Sequence, residues 1–394
     1  MFRFYLILIL IFTAVTRLYL LGNPNQYVFD EVYHVVTIKA YAQNNPAGYE
    51  WWHQPPEPNT AYEWLHPPLA KLIQASSVKV FGNTSFAWRF PSALFGVLSV
   101  TAVYFLALTL FKSRPIALTA ALILSLDNLH LTMSRITMND IFVTTFILLA
   151  LTFFFKKSWY LTGLFTGLAL ATKHSAVFLY PIFTLWLLWS ARAGTLRAPF
   201  KIIYSLTVIP LAIYFMSFIQ FFFQGHSLTD FWHLHQQIWW YQTGLKASHS
   251  YQSTALTWPL LVRPVWFYVK YFPDKIAHIY NLGNPLVFWG GAAAAAYTIF
   301  KRRFIQQVIF LLLSYGLLFL PLGLSPRILF LHHYLPALPL LIIILAYTLN
   351  RHKKFRPWFL ILTAVTFFFF YPLNTALPLP ADWLKYWFWL PSWR

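Results

Sequence analysis

Long apolar runs organise this chain, in place of the short amphipathic patterns of a soluble fold. Eleven of them predict helices, at about 4–22, 90–111, 115–132, 140–155, 159–172, 175–190, 202–222, 285–300, 304–323, 331–349 and 357–373. One bilayer crossing takes roughly 17–25 apolar residues. The runs at 140–155 and 159–172 are short, so neighbouring helices must cover their ends. Two long polar-containing loops, 23–89 and 223–284, interrupt the series. The start, Met1-Phe2-Arg3 and an apolar stretch, resembles a signal peptide. No small-residue cleavage site follows it, and further spans do, so it reads as a retained first span.

Composition agrees with this pattern. Hydrophobic residues make up 59% of the chain and charged residues only 10%, against roughly 25% charged in soluble domains. Cysteine is absent, which excludes disulfides and thiolate metal sites. The formal net charge of +19 changes meaning once it is placed along the chain. Alternate short loops hold Arg3; Lys112 and Arg114; Lys156 and Lys157; Arg192, Arg197 and Lys201; Lys301, Arg302 and Arg303; and Arg351, Lys353, Lys354 and Arg356, with no Asp or Glu among them. Short Lys/Arg-rich loops face the cytoplasm. The expected N-terminus is therefore cytoplasmic and the C-terminus external. All ten acidic residues fall on the other side, so topology accounts for part of the charge and a nucleic-acid partner is not expected.

Several ionisable residues stand at the outer ends of spans: Arg89, Arg135, Asp140, Lys173 and Arg327. A charge at the bilayer centre costs roughly 2.5–3.5 kcal/mol on insertion scales. Either these residues serve one shared site or they snorkel to the interface. Around them lie short motifs: Asp30-Glu31; His66-Pro67-Pro68-Leu69-Ala70-Lys71; Arg89-Phe90-Pro91-Ser92; Ser134-Arg135 with Asn139-Asp140; Lys173-His174; and Arg327 with His332-His333-Tyr334. Each has a plain alternative. The acidic pair can be a solvated helix start, the His-Pro-Pro run a rigid turn, and Arg135 with Asp140 a local ion pair. Gly163, Gly167, Ala169 and Ala171 predict close helix packing before Lys173. In the large loop, Phe231–Tyr241 with Trp232, Trp239 and Trp240 suits a helix in the headgroup layer. His233 and His235 would point to different faces of that helix, so no metal site is expected there. No phosphate-binding loop, dinucleotide fingerprint or zinc-peptidase motif occurs.

Taken in order, these segments resemble the protein O-mannosyltransferase family, within the GT-C class of polytopic glycosyltransferases. The likeness continues through Ser248-His249-Ser250-Tyr251-Gln252-Ser253, Trp258-Pro259, Arg263-Pro264-Val265-Trp266, Asn284-Pro285 and His333-Tyr334-Leu335-Pro336. It implies an all-α polytopic fold with eleven transmembrane helices and external juxtamembrane helices. It also implies inverting transfer of mannose from a polyprenyl-phosphate-mannose donor to Ser or Thr hydroxyls of a protein acceptor. The reaction would occur outside the cytoplasm, with the bilayer as partner and no required cofactor or metal. By carry-over, Asp30 is the expected base, and Glu31 orients its neighbours or the acceptor. Arg89, Arg327 and His333 are expected at the donor phosphate, with Lys173, Arg135 and His332 next. His66, Asp140 and Tyr251 are expected to position the acceptor. Two departures stand out. His174 replaces the aromatic or apolar residue usual in eukaryotic relatives, and the large loop holds no separate soluble domain. A minimal prokaryotic member in the plasma membrane fits both, with residues 1–394 as one catalytic domain. The alternatives are a lipid-phosphate glycosyltransferase acting on lipid A or cell-wall glycan, a transporter or flippase, and a non-catalytic scaffold.

Overall fold

The computed structural model describes residues 2–192, 198–245, 247–302 and 305–394; Arg197 and Arg303 of the basic loops lie outside these described residues. The helices in chain order begin with α1 (Phe2–Leu18), α2 (Glu31–Ala42), α3 (Leu69–Phe81), α4 (Ser85–Phe111), α5 (Arg114–Ser125) and α6 (Asn128–Met133). Next come α7 (Asp140–Phe155), α8 (Trp159–Leu170), α9 (Leu179–Arg192), α10 (Pro199–Ser217), α11 (Ile219–Phe223) and α12 (Leu228–Gly244). After strands β1 (Val265–Tyr271) and β2 (Lys275–Asn281) follow α13 (Pro285–Phe300), α14 (Gln306–Phe319), α15 (Leu338–Arg351), α16 (Arg356–Asn374) and the short β3 (Leu379–Pro380).

Every apolar run identified in the sequence is helical, though several are broken by polar residues with identifiable work. The run at 115–132 divides at Asp127, whose carboxylate caps α6 by accepting from the His130 N–H at 2.8 Å. Its second oxygen accepts from the Asn284 N–H at 3.1 Å. Asn284 in turn caps α13, with Pro285 at the first helical position. Among the described residues, five helices, including α4, α10 and α16, are long and apolar enough to cross a membrane. Shorter apolar helices, among them α5, α7, α8, α13 and α15, complete the bundle.

Helices α7 and α15 are buried along nearly their whole length and form the bundle's interior. Around them, α4 and α8 flank α7, while α5, α13 and α14 flank α15. Apolar side chains such as Ile7, Ile11, Leu211, Met216, Val365 and Phe368 point outward, as lipid-facing surfaces require. The small residues of α8 bring α10 close: a Cβ on Gly163 would strike the Ser205 carbonyl, and one on Gly167 would lie 2.9 Å from the Pro210 Cα. In α12, Trp232, Trp239 and Trp240 are exposed, as the interfacial pattern predicts.

The all-α expectation fails in one place. The loop 223–284 folds its second half into β1 and β2, an antiparallel pair with a bulge between Trp266 and Tyr268, and β3 adds to β2. Val, Ile, Trp, Phe and Tyr around the turn-forming Pro273-Asp274 carry that signal.

Candidate active site

The site is built where the loop 23–89 meets the N-terminal ends of α4, α7 and α15. Phe29 adopts φ +51°, a left-handed conformation that is costly for a bulky residue. Its ring stacks on Phe267 of β1 at 4.2 Å and meets the His332 ring edge-on at 6.0 Å. The chain then turns into α2 with Asp30 at the N-cap and Glu31 in the first turn.

The two neighbouring carboxylates have separate environments. Glu31 is fully buried and accepts from Arg89 Nε at 2.9 Å and Arg89 Nη2 at 2.7 Å. It also accepts from the backbone N–H groups of Val28 and Thr137. Arg89 gives its remaining donors to the carbonyls of Leu21, Pro24 and Gln26. A guanidinium has five N–H donors, and every one of these is engaged. Arg89, expected at the donor phosphate, is therefore the clamp that ties loop 23–30 to α4.

Other cations are similarly occupied. Lys173 Nζ pairs with Asp140 at 2.8 Å, and both are buried. This replaces the local Arg135–Asp140 pair that spacing alone allows. Arg135 instead donates to the carbonyls of Thr16, Arg17, Tyr19 and Leu20 at the C-terminal end of α1. Those are the carbonyls that a helix end leaves without partners, so Arg135 caps α1 with these donors.

A third pair was not expected from sequence. Lys71, completely buried in α3, pairs with Glu63, which also lies 3.9 Å from His34. Burial would raise Glu63, but the positive field of Lys71 and His34 outweighs it and holds the carboxyl low. Arg17, also missed, reaches Ser125 and His130 from inside the first apolar run. Its presence within that run was the available signal.

Against these engaged groups, two stand apart among the described residues. The Asp30 carboxylate has no hydrogen bond and no ion pair, and does not cap its own helix. It remains partly exposed. Burial, then the like charges of Asp140 and Glu63, push it up to about 7, against the pull of Lys173 and Arg327. Arg327 has no carboxylate partner: its Nη1 donates to the Gln242 side-chain Oε1 and it lies over the Tyr241 ring at 5.4 Å, with Nε unpartnered.

His332 and His333 stack at 4.4 Å in the turn before α15. Burial pushes His332 down to about 4 and His333 well below its ordinary value. Burial thus favours the neutral rings, whose N–H groups can donate. His332 Nδ1 is buried and unpartnered. His66 contributes its carbonyl to Lys71 while its ring Nδ1 is also unpartnered. Tyr251 lies over the Arg263 guanidinium at 5.0 Å. Its segment borders the site through the Ser253 N–H bond to the Leu329 carbonyl. No group of three or more His, Asp or Glu side chains among the described residues is arranged to hold a metal.

Known proteins are similar to this chain in sequence and in architecture. The family described as dolichyl-phosphate-mannose-protein mannosyltransferase matches residues 7–273, and the C-terminal four TMM region of protein-O-mannosyltransferase matches 227–393. The polyprenol-phosphate-mannose–protein mannosyltransferase of Corynebacterium glutamicum is 25% identical, over 84% of this chain and 81% of its own. That of Mycobacterium tuberculosis is 23% identical over 98% and 91%. The S. cerevisiae protein O-mannosyltransferase Pmt1-Pmt2 complex bound to the sugar donor superposes with a TM-score of 0.83 at 16% identity, covering 100% of this chain and 92% of that one. ArnT from Cupriavidus metallidurans bound to undecaprenyl phosphate shares the fold at a TM-score of 0.62 and 14% identity, over 89% of this chain and 60% of its own. The chain is an integral multi-pass membrane protein of GT-C architecture, and it belongs to the dolichyl-phosphate-mannose-protein mannosyltransferase family.

Proposed function

We propose that this chain transfers mannose from a polyprenyl-phosphate-mannose donor to the hydroxyl of a Ser or Thr in a protein acceptor, with inversion. The observation that carries the reading is the separation of free from engaged groups. Asp30 is a free carboxylate, and the unpaired cation Arg327 acts on it. Asp30 takes the proton of the incoming hydroxyl as its oxygen attacks the anomeric carbon. The bond from that carbon to the phosphate oxygen breaks, and its electron pair leaves with the phosphate. Arg327 meets the charge that develops there, and the neutral rings of His332 and His333 add N–H donors. A base that titrates near 7 is well matched to neutral conditions. Protein groups alone carry the charge in this reading, with no metal or other cofactor. Glu31 and Arg89, and Asp140 and Lys173, hold the frame. His66 and the Tyr251 segment border the acceptor's side.

Eleven crossings with the N-terminus cytoplasmic put this site on the external face, and the one-sided basic loops support that orientation. Residues 1–394 act as a single catalytic unit. The test is a transfer assay in nanodiscs with labelled polyprenyl-phosphate mannose and a Ser/Thr-rich peptide. Asp30→Asn should lower transfer by about 10²–10⁴-fold while donor binding stays. Wild-type turnover in that variant would remove Asp30 as the base, and label on lipid alone would favour the lipid-modifying alternative.

A further inference from the structure

A groove lies between α1, α4 and α5, at the helix ends opposite the carboxylate cluster. Phe2, Arg3 and Leu6 of α1, Tyr104, Phe105 and Leu108 of α4, and Arg114 of α5 line it. Arg135 and Arg89 mark the site-side ends of α1 and α4, so the groove occupies the far ends of both helices. At 1.5 Å per residue, the 17 residues of α1 put about 25 Å between the two places. The groove is therefore not part of the cleft around Asp30.

Its chemistry is divided. Its apolar lining, or floor, includes Leu6, Phe105 and Leu108. Two guanidiniums stand at its edge, and Arg114 lies over the Phe2 ring at 5.7 Å. Neither Arg3 nor Arg114 forms a salt bridge with an acidic residue among the described residues, and both are exposed. The adjoining loop adds Lys112 and holds no Asp or Glu. A soluble anion would use the arginines but waste the apolar floor, and a neutral lipid would do the reverse. One ligand uses both, a lipid with an anionic headgroup and an acyl chain lying between the spans. Basic pockets between spans on the cytoplasmic side are suited to such lipids.

We propose that this groove, lined by Arg3, Arg114 and Leu108, binds one anionic phospholipid from the leaflet opposite the active site. On the proposed orientation that leaflet is the cytoplasmic one.

The test is native mass spectrometry of the full chain in detergent, titrated with dioleoylphosphatidylglycerol or dioleoylphosphatidylcholine. The wild type should retain one phosphatidylglycerol about thirtyfold more tightly than phosphatidylcholine, at about fivefold for each arginine near an anionic headgroup. Arg3→Gln with Arg114→Gln should abolish the preference. Leu108→Trp keeps both arginines but fills the floor, and should also lower retention. All three proteins should still transfer mannose in detergent, which separates loss of the lipid from loss of the fold. Equal retention of the two lipids by wild type overturns the proposal. So does an unchanged preference in the double arginine variant, or displacement of the lipid by millimolar inorganic phosphate, which would identify a soluble anion as the ligand. Failure here leaves the mannosyltransferase reading intact, because that reading is tested by transfer.

Discussion

Replacing Arg89 distinguishes a clamp from a phosphate ligand. Arg89→Met removes five hydrogen bonds: two to Glu31 and three to the carbonyls of Leu21, Pro24 and Gln26. It also strands the Glu31 carboxylate, which is fully buried. Breaking a buried ion pair by removing one partner costs about 3–5 kcal/mol, because the other charge remains unpaired. Replacing both partners by neutral groups of similar size is often close to neutral. Arg89→Met alone should therefore lower the unfolding midpoint by several degrees. Glu31→Gln combined with Arg89→Met should recover much of that loss, a coupling of about 2 kcal/mol or more by the double-mutant cycle. Tryptophan fluorescence on heating reads this directly, because 18 Trp residues report on the fold. A membrane protein that unfolds irreversibly is compared at one scan rate. A phosphate ligand behaves in the opposite way. Its loss would leave stability unchanged and weaken polyprenyl-phosphate binding, and removing Glu31 would restore nothing. That result would refute the clamp.

Further outcomes follow from the same geometry. Arg327→Ala should weaken binding of polyprenyl phosphate by about 10–100-fold, the worth of a charge-assisted hydrogen bond, whereas Asp30→Asn should leave it unchanged; isothermal titration in detergent separates them. Transfer should rise with pH and level off above about 7 as Asp30 loses its proton, and a kcat/KM profile flat between pH 5 and 8 would contradict the base. Because that carboxyl is raised above its unfolded value of 3.8, its charged form opposes folding above pH 7. The stabilising effect of Asp30→Asn should be largest there and vanish below about pH 4 in thermal melts. Gly163→Val would drive a branched side chain into the Ser205 carbonyl; it should cost about 1–3 kcal/mol or more, visible as a lower melting midpoint.

The bundle was legible because lipid imposes a simple rule. Backbone groups must be satisfied within helices, so each apolar run such as 357–373 had one structural outcome, seen in α16. The sheet was less legible. Val265–Tyr271 and Lys275–Asn281 are short, mixed in polarity and set within a loop that also forms α12, and β2 packs against α16 and α6, which lie far from it in sequence. The site was legible as a roster but not as a set of roles. Asp30, Glu31, Arg89, Asp140, Lys173, Arg327 and His332 were identified by their positions at span ends and in motifs. Which charge pairs with which is a property of three dimensions. Glu31 and Arg89 are separated by 58 positions, and Asp140 and Lys173 by 33. The pairing of Lys71 in the His66–Lys71 motif with Glu63 carried no such signal, because neither stands at the end of an apolar run.

The pairing pattern carries the functional argument further than the roster does. A buried charge in this environment is tolerated when an opposite charge or several dipoles meet it. Glu31, Glu63 and Asp140 satisfy that rule through Arg89, Lys71 and Lys173. Those three pairs leave the local frame rigid without spending either reactive group. Asp30 and Arg327 stand outside these pairs and are both partly exposed; the first has no hydrogen bond, and the second is supported by Gln242 and the Tyr241 ring with its Nε unpartnered. If they were merely structural, the nearest relief would be a direct ion pair between them, since each already feels the other's charge. Holding them apart keeps a base and a phosphate cation available at once. An inverting transfer needs that arrangement, because the proton and the leaving phosphate depart on opposite sides of the anomeric carbon.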